Sequence, residues 1–261
     1  LMEELKKIRR VISKAQADEF YATYYAPQNI TLILVGDLDV ARATELAEKY
    51  FSRIPAGKVA APDVVTLEVK QPAEKRMYAE AETNPQVDIL WHTVPFGHKD
   101  SYALAILGQL LSTQTGRLYK GLVLTNEVAT QVWAHQMSQK WAGSFNAGGE
   151  AREGHKPEEV EQAIYAEIEK LQREEVPAEE LQKVKNNFAA AEYRRLTSNS
   201  AILMNLIHNE GNGNWRAINE AGPKVQAVTA ADVKRVANQY FNKENRAVAG
   251  YMRKPGEPKS K

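Results

Sequence analysis

The pattern of apolar and polar positions switches between two periods, and the switches mark the elements. Ser13 to Tyr25 reads as a hydroxyl cap, an amphipathic helix and an aromatic pair, Tyr24-Tyr25. A turn through Pro27 and Asn29 follows, and the apolar run Ile30 to Val35 predicts a strand. Gly36 to Asp39 leads into a helix whose apolar positions, Val40, Ala43, Leu46, Ala47, Tyr50 and Phe51, keep the helical period with charges opposite. Residues 54–62 (IPAGKVAAP) hold two prolines and a glycine, which is linker composition.

Beyond the linker, Arg76 to Glu82 sets Met77, Ala79 and Ala81 against charges, the alternation of a half-buried strand. Val87 to Phe96 reads as a more buried strand, broken by Gly97-His98-Lys99-Asp100. Ser101 to Ser112 is an apolar helix, and Thr115 to Lys120 opens a short helix ending near Leu124. Thr130 to Gln139 and Gly143 to Glu150 pair as a hairpin. Pro157 suits the first turn of a helix running to about Glu175, and Pro177 starts another through Leu181, Val184, Phe188 and Tyr193. Ser198 to Glu210 is helical again until Gly211-Asn212-Gly213-Asn214 breaks it. Strand pairs separated by helices on a mixed sheet give an α+β sandwich.

Two segments match without a gap at an offset of 216 residues. The first runs from Ser13 through Tyr24-Tyr25 and Asn29 into Ile30–Val35. The second runs from Thr229 through Tyr240-Phe241 and Asn245 into Ala247 to Tyr251. Ser13 with Gln16 fits a capping box, and Thr229 with Asp232 is its acidic form. The repeat predicts the ends of two related domains. Residues 1–54 are then the C-terminal remnant of a first domain, 55–63 a linker, 64–253 a complete second domain, and 254–261 a disordered tail.

Composition removes several function classes. Of 261 residues, 34 are basic and 33 acidic, a balance that offers no field for nucleic acid. Cysteine is absent, which excludes disulfides, thiolate catalysis and thiolate-bound metal. No apolar run is long enough to span a bilayer, and charges interrupt every apolar pair of the first seven residues, unlike a signal peptide. A chain opening on Leu1 reads as a fragment, and its compartment stays open.

Tyr24-Tyr25-Ala26-Pro27-Gln28-Asn29, the β-run and Gly36-Asp37 resemble a segment of the insulinase/pitrilysin zinc peptidases. The helix end Ala47 to Phe51, Val94-Pro95 with Asp100-Ser101-Tyr102-Ala103-Leu104, and Gly116-Arg117-Leu118-Tyr119-Lys120-Gly121-Leu122 resemble further stretches of that family, in the same order. The resemblance covers about residues 10 to 252. It implies repeated α/β sandwich domains with mixed, mainly antiparallel sheets covered by helices, two per half, with two halves closing around a chamber.

The family's zinc site is HxxEH with a distal glutamate. Two imidazoles on one helical face hold the metal, and the carboxylate between them acts as general base. The five histidines of this chain, His92, His98, His135, His155 and His208, form no such spacing. The resemblance places that motif upstream, so this chain carries no cofactor and zinc belongs to the parent protein. The family's second element is an Arg and a Tyr that hold substrate and stabilise the oxyanion. By the resemblance, their positions in this chain fall on Val123, which has no donor, and Thr130, which is too short to replace a phenol. Arg117 is the one residue read as a substrate-binding cation of a chamber wall, against a plain exposed helix-start arginine. His92 and His98 with Asp100 read as structural or solvated, Glu150, Arg152 and Glu153 as a solvated rim, and Trp91, Trp133, Trp141 and Trp215 as mostly core or sheet cover.

The function expected is therefore the zinc-free part of a zinc metalloendopeptidase, supplying chamber wall and contact to a partner half, and inactive in isolation. Peptide is the expected substrate, and the second half is covalent or separate. The alternative is a catalytically inactive partner subunit or assembly scaffold.

Overall fold

Each copy of the repeat opens on the cap its sequence specifies. The computed structural model describes residues 12–63 and 69–253, which divide between Leu67 and Glu68 into two units. In the first, Ser13 Oγ accepts from the Gln16 amide at 3.2 Å and Gln16 Oε1 accepts from the Ser13 amide at 2.9 Å, starting α1 (Lys14–Tyr24). Asp39 caps α2 (Val40–Phe51) by accepting from the Arg42 amide at 3.1 Å. Asn29 Nδ2 donates to the Tyr24 carbonyl at 2.8 Å and so satisfies an end carbonyl of α1.

The strand predicted at Ile30–Val35 is not formed. Ile30 is extended, with φ −119° and ψ 129°, but the segment joins no ladder among the described residues. A strand exists only where a neighbour takes up its amides and carbonyls. Neither α1 nor α2 buries a residue, although α2 is strongly amphipathic.

The second unit is a five-stranded sheet under helices. Its strands are β1 (Lys75–Ala81), β2 (Gln86–Thr93), β3 (Ala129–Ser138), β4 (Gly143–Ala151) and β5 (Arg246–Arg253), in the order β1-β5-β2-β4-β3. β1 runs parallel to β5; the other three pairings are antiparallel. Helices α3 (Lys99–Ser112), α4 (Pro157–Arg173), α5 (Ala178–Arg195), α6 (Asn199–Gly211), α7 (Ala217–Ala227) and α8 (Ala230–Tyr240) complete it. Ile89, Trp91, Phe145 and Val248 point from the sheet into a core shared with Leu104, Leu107, Leu111, Ile164 and Val236. Each such side chain contributes about 1.5–3 kcal/mol on full burial. Phe241, from the aromatic pair of the repeat, stands edge-on to Trp91 and Phe145 with centroids 5.0 and 4.8 Å away.

Two elements differ from the sequence reading. The short helix after Gly116 is a π-helix, Tyr119–Thr125, a rare wide turn. Helix α7 is not legible in the sequence, because Gly222 and Pro223 stand inside it and both disfavour a helix interior. The second domain start at Val64 and the tail at 254–261 lie outside the described residues.

Gly148 on β4 is needed for space. A Cβ there would lie 2.3 Å from the Val87 carbonyl oxygen and 2.6 Å from the Trp133 indole. Gly148→Ala is expected to lower stability by about 1–3 kcal/mol through overpacking, measured as a lower urea midpoint with an unchanged slope.

Candidate functional site

Arg117 is neither free nor fully exposed. Its Nε and Nη2 donate to Glu180 Oε1 and Oε2 at 2.9 and 2.6 Å, a two-point grip on the first turn of α5. The side chains are only 23% and 31% exposed, and the Glu180 hydrogen bonds raise the guanidinium pKa further. The pair borders a cleft of about 820 Å³ lined by Gln109, Thr115, Gly116, Lys120, Glu180 and Asn187.

Val123 and Thr130 stand elsewhere. Val123 packs its apolar side chain onto the core from the π-helix. Thr130 sits on β3 where the register slips between Ala129 and Gln131, and its Oγ1 donates to Glu150 Oε1 at 2.9 Å. It lines a second cleft of about 430 Å³ with Asn84, Glu150, Arg152, His155 and Arg253. Neither Val123 nor Thr130 offers the cation or phenol that grips a peptide carbonyl. Glu150, Arg152 and Glu153, read as a solvated rim, line this cleft too.

The histidines are dispersed. His98 caps α3, its Nδ1 accepting from the Asp100 amide at 3.1 Å. His92 and His135 lie on β2 and β3, opposite Ser144 and Asn146 of β4. His155 Nδ1 meets Glu159 Oε2 at 2.8 Å, which together with the Lys156 amide holds that carboxylate below its ordinary range. The His208 ring stands edge-on to Phe96. Among the described residues no group of three His, Cys, Asp or Glu side chains is placed to hold a metal ion. The donor set of a zinc peptidase centre, two imidazoles and a carboxylate converging on one point, is not assembled from these residues.

The sheet presents one surface that the sequence did not reveal. Residues alternate along each strand. Val87, Ile89, Trp91, Phe145 and Ala147 face the helices and are buried. The alternate set, including Asp88, Leu90 and His92 of β2, Trp133 and His135 of β3, and Ala249 and Tyr251 of β5, stays partly or fully exposed. Its centre is floored by small residues, Ser144, Gly148, Ala247 and Ala249. Trp133 lies over Gly148, and its Nε1 donates to Asp88 Oδ1 at 3.0 Å. The result is a shallow trough with an indole wall, a carboxylate and two imidazoles.

The tryptophans divide unevenly. Trp91 is buried and Trp133 covers the sheet as expected, but Trp141 and Trp215 are exposed loop residues, outside the reading of the tryptophans as mostly core or sheet cover. Apolar character alone does not distinguish a core indole from a surface one. No helix among the described residues is long and apolar enough to cross a membrane.

Comparison with known proteins adds identity to this geometry. The family model described as the peptidase M16 inactive domain matches residues 12–188. Zinc protease PqqE of Helicobacter pylori (strain ATCC 700392 / 26695) is 27% identical over 231 residues, covering 85% of this chain and 51% of that protein. A solved protease from Helicobacter pylori superposes with a TM-score of 0.87 at 24% identity, over 92% of this chain and 59% of that one. A solved peptidase M16 inactive domain from Pseudomonas fluorescens gives 0.80 at 18% identity, over 98% and 61%. The last two similarities speak for the fold alone. The chain thus spans about half the length of the curated relative it matches over most of its own length.

Proposed function

The chain belongs to the M16 peptidase family as its inactive domain, and from that premise we propose that it is the zinc-free wall of a peptidase chamber. The open trough of the sheet carries this reading. It offers Trp133, Leu90 and Tyr251 for apolar side chains of an extended peptide, and Asp88, His92 and His135 for its polar groups. An HxxEH motif in the segment upstream of this chain would hold the zinc, which would activate the water for attack on the peptide bond. This half contributes binding energy from parts of the substrate remote from the reacting bond. Arg117, gripped by Glu180 at the rim of the larger cleft, acts in this scheme as a positioning residue for α5.

Mixing experiments test the proposal. The isolated chain is expected to bind no stoichiometric zinc and to cleave no quenched peptide. Adding the upstream segment that bears HxxEH, together with the partner half, is expected to yield chelator-sensitive hydrolysis. In that mixture Trp133→Ala is expected to raise KM about tenfold with kcat little changed, since it removes binding common to ground and transition states. One tightly bound zinc per isolated chain, with hydrolysis, would sink the proposal. A second reading, a non-catalytic partner subunit, is favoured by Val123, which has no donor, and Thr130, whose hydroxyl is too short to replace a phenol. It predicts a degenerate upstream motif, and activity only after mixing with a zinc-bearing partner.

A further inference from the structure

A second binding surface lies on the helical side of the sheet, away from the trough. Helix α6 carries Ile202, Leu203, Met204, Leu206 and Ile207, yet buries none of them; Asn209 is its one buried residue. Between this layer and α3 with β3 is a cavity of about 360 Å³, within the range of small-ligand sites. Phe96, Tyr102, Phe188 and Val225 give it apolar walls. Gly222 of α7 faces it without a side chain, and a Cβ there would meet nothing within 4 Å. Its charged lining residues, Glu192 and Arg195, neutralise one another at 2.6 Å.

Two loops border this cavity. The Phe96 amide donates to the Gln139 carbonyl at 2.9 Å, so the turn between β3 and β4 starts at the cavity wall. His208, another wall residue, leads into the loop between α6 and α7. The loops lie side by side, with Lys140 Cε 3.9 Å from where a Gly213 Cβ would sit. Each presents an exposed tryptophan with a cation over it. Trp141 is 51% exposed with Lys140 Nζ 4.8 Å from its centroid, and Trp215 is 43% exposed with Arg216 Cζ at 4.6 Å. Residues 139–142 and 212–216 contain no acidic side chain.

We propose that this surface docks an acidic peptide segment carrying a bulky apolar anchor. The anchor enters the cavity, flanking carboxylates meet Lys140 and Arg216, and the two indoles cover the bound backbone. Tryptophan, arginine and an apolar pocket are the composition of binding hot spots, and two cations on loops that hold no acidic residue favour an anionic flank. An anionic membrane would offer similar charge. However, a concave apolar pocket suits single side chains better than a lipid surface, which is entered by projecting apolar groups.

The test uses the full chain and a fluorescein-labelled peptide, Glu-Glu-Phe-Phe-Glu-Glu, followed by anisotropy. Saturable binding is expected, about tenfold or more tighter than for Lys-Lys-Phe-Phe-Lys-Lys or Glu-Glu-Ser-Ser-Glu-Glu. Gly222→Leu fills the cavity and replaces a poor helix former, so its melting temperature is expected to be unchanged or higher while affinity falls about tenfold or more. Lys140→Glu with Arg216→Glu should cause a similar fall and remove the salt dependence. Wild-type affinity in Gly222→Leu, equal binding of the basic peptide, or binding only to phosphatidylglycerol vesicles would each overturn the proposal.

Discussion

Asp100→Ala is expected to destabilise the sheet-bearing unit by about 1–3 kcal/mol, the cost of leaving buried hydrogen-bond partners unsatisfied. Asp100 is 2% exposed in the first turn of α3. Its two oxygens accept from Arg235 Nη2 at 2.7 Å and from the Tyr240 hydroxyl at 2.8 Å, both on α8. One carboxylate therefore clamps the C-terminal repeat helix to the helix behind β2. Burial by itself pushes its pKa up, but the hydrogen bonds from Arg235 and Tyr240 outweigh it and hold the group below its ordinary value. Removal leaves the Tyr240 hydroxyl without its acceptor and Arg235 with Asp232 and Gln239, each at 3.3 Å.

The same clamp sets a pH dependence. A carboxylate with a depressed folded-state pKa contributes its full stability above its unfolded value of about 3.9, and loses it as pH falls through the folded value. The wild-type urea midpoint is therefore expected to fall below about pH 4. Asp100→Asn should start lower at neutral pH and flatten that acid limb, because its side chain no longer titrates. Equal acid limbs in the two proteins would show that other carboxylates set it.

The repeat shows how far local sequence reaches. Asn29 and Asn245 occupy equivalent places and bond the carbonyls of Tyr24 and Tyr240 at 2.8 and 2.9 Å. Asn245 also donates to the His92 carbonyl of β2 at 2.8 Å. Caps, helices and turns were thus legible, since their partners lie within a few residues. Burial was not. Phe20, Tyr21, Tyr25 and Leu32 are 58, 65, 58 and 51% exposed, whereas their equivalents Val236, Ala237, Phe241 and Val248 are 0, 0, 7 and 3% exposed. The second copy has β1, β2, α3 and α4 around it, and the first has no such neighbours among the described residues.

The candidate site follows the same division. That Val123 is apolar and that Thr130 carries a hydroxyl, not a phenol, was readable, because residue type alone decides it. The trough was not, since it gathers alternate residues of non-consecutive strands in the order β1-β5-β2-β4-β3. The exposed Trp141 and Trp215 escaped for a related reason. Each sits in a loop whose exposure is fixed by packing between distant segments, as the approach of Lys140 to Gly213 illustrates.

Glu161→Ala is expected to be as costly as Asp100→Ala, about 1–3 kcal/mol, but to act at the sheet edge. Glu161 on α4 is 3% exposed and accepts from both terminal nitrogens of Arg76 on β1 and from the Tyr165 hydroxyl at 2.7 Å. Arg76 Nε also donates to Glu74 at 2.8 Å, Glu74 is bonded by Arg246 of β5, and the Arg246 guanidinium lies 4.2 Å from the Tyr165 centroid. Burial disfavours the ionised Glu161, yet Arg76 and Tyr165 hold its pKa below the ordinary value. Its contribution is thus complete above an unfolded value of about 4.3 and disappears as pH falls through the folded one. Among the described residues β1 pairs with β5 alone, so this network ties the edge to the helices. In Glu161→Ala the β1 amides should therefore lose hydrogen-exchange protection before those of β2 and β4. Glu161→Leu with Arg76→Met removes charge from both sides and should recover most of the loss, since a buried pair replaced by apolar groups is often near neutral. If the double variant is no more stable than Glu161→Ala, hydrogen bonding to Tyr165 rather than charge pairing holds the edge strand.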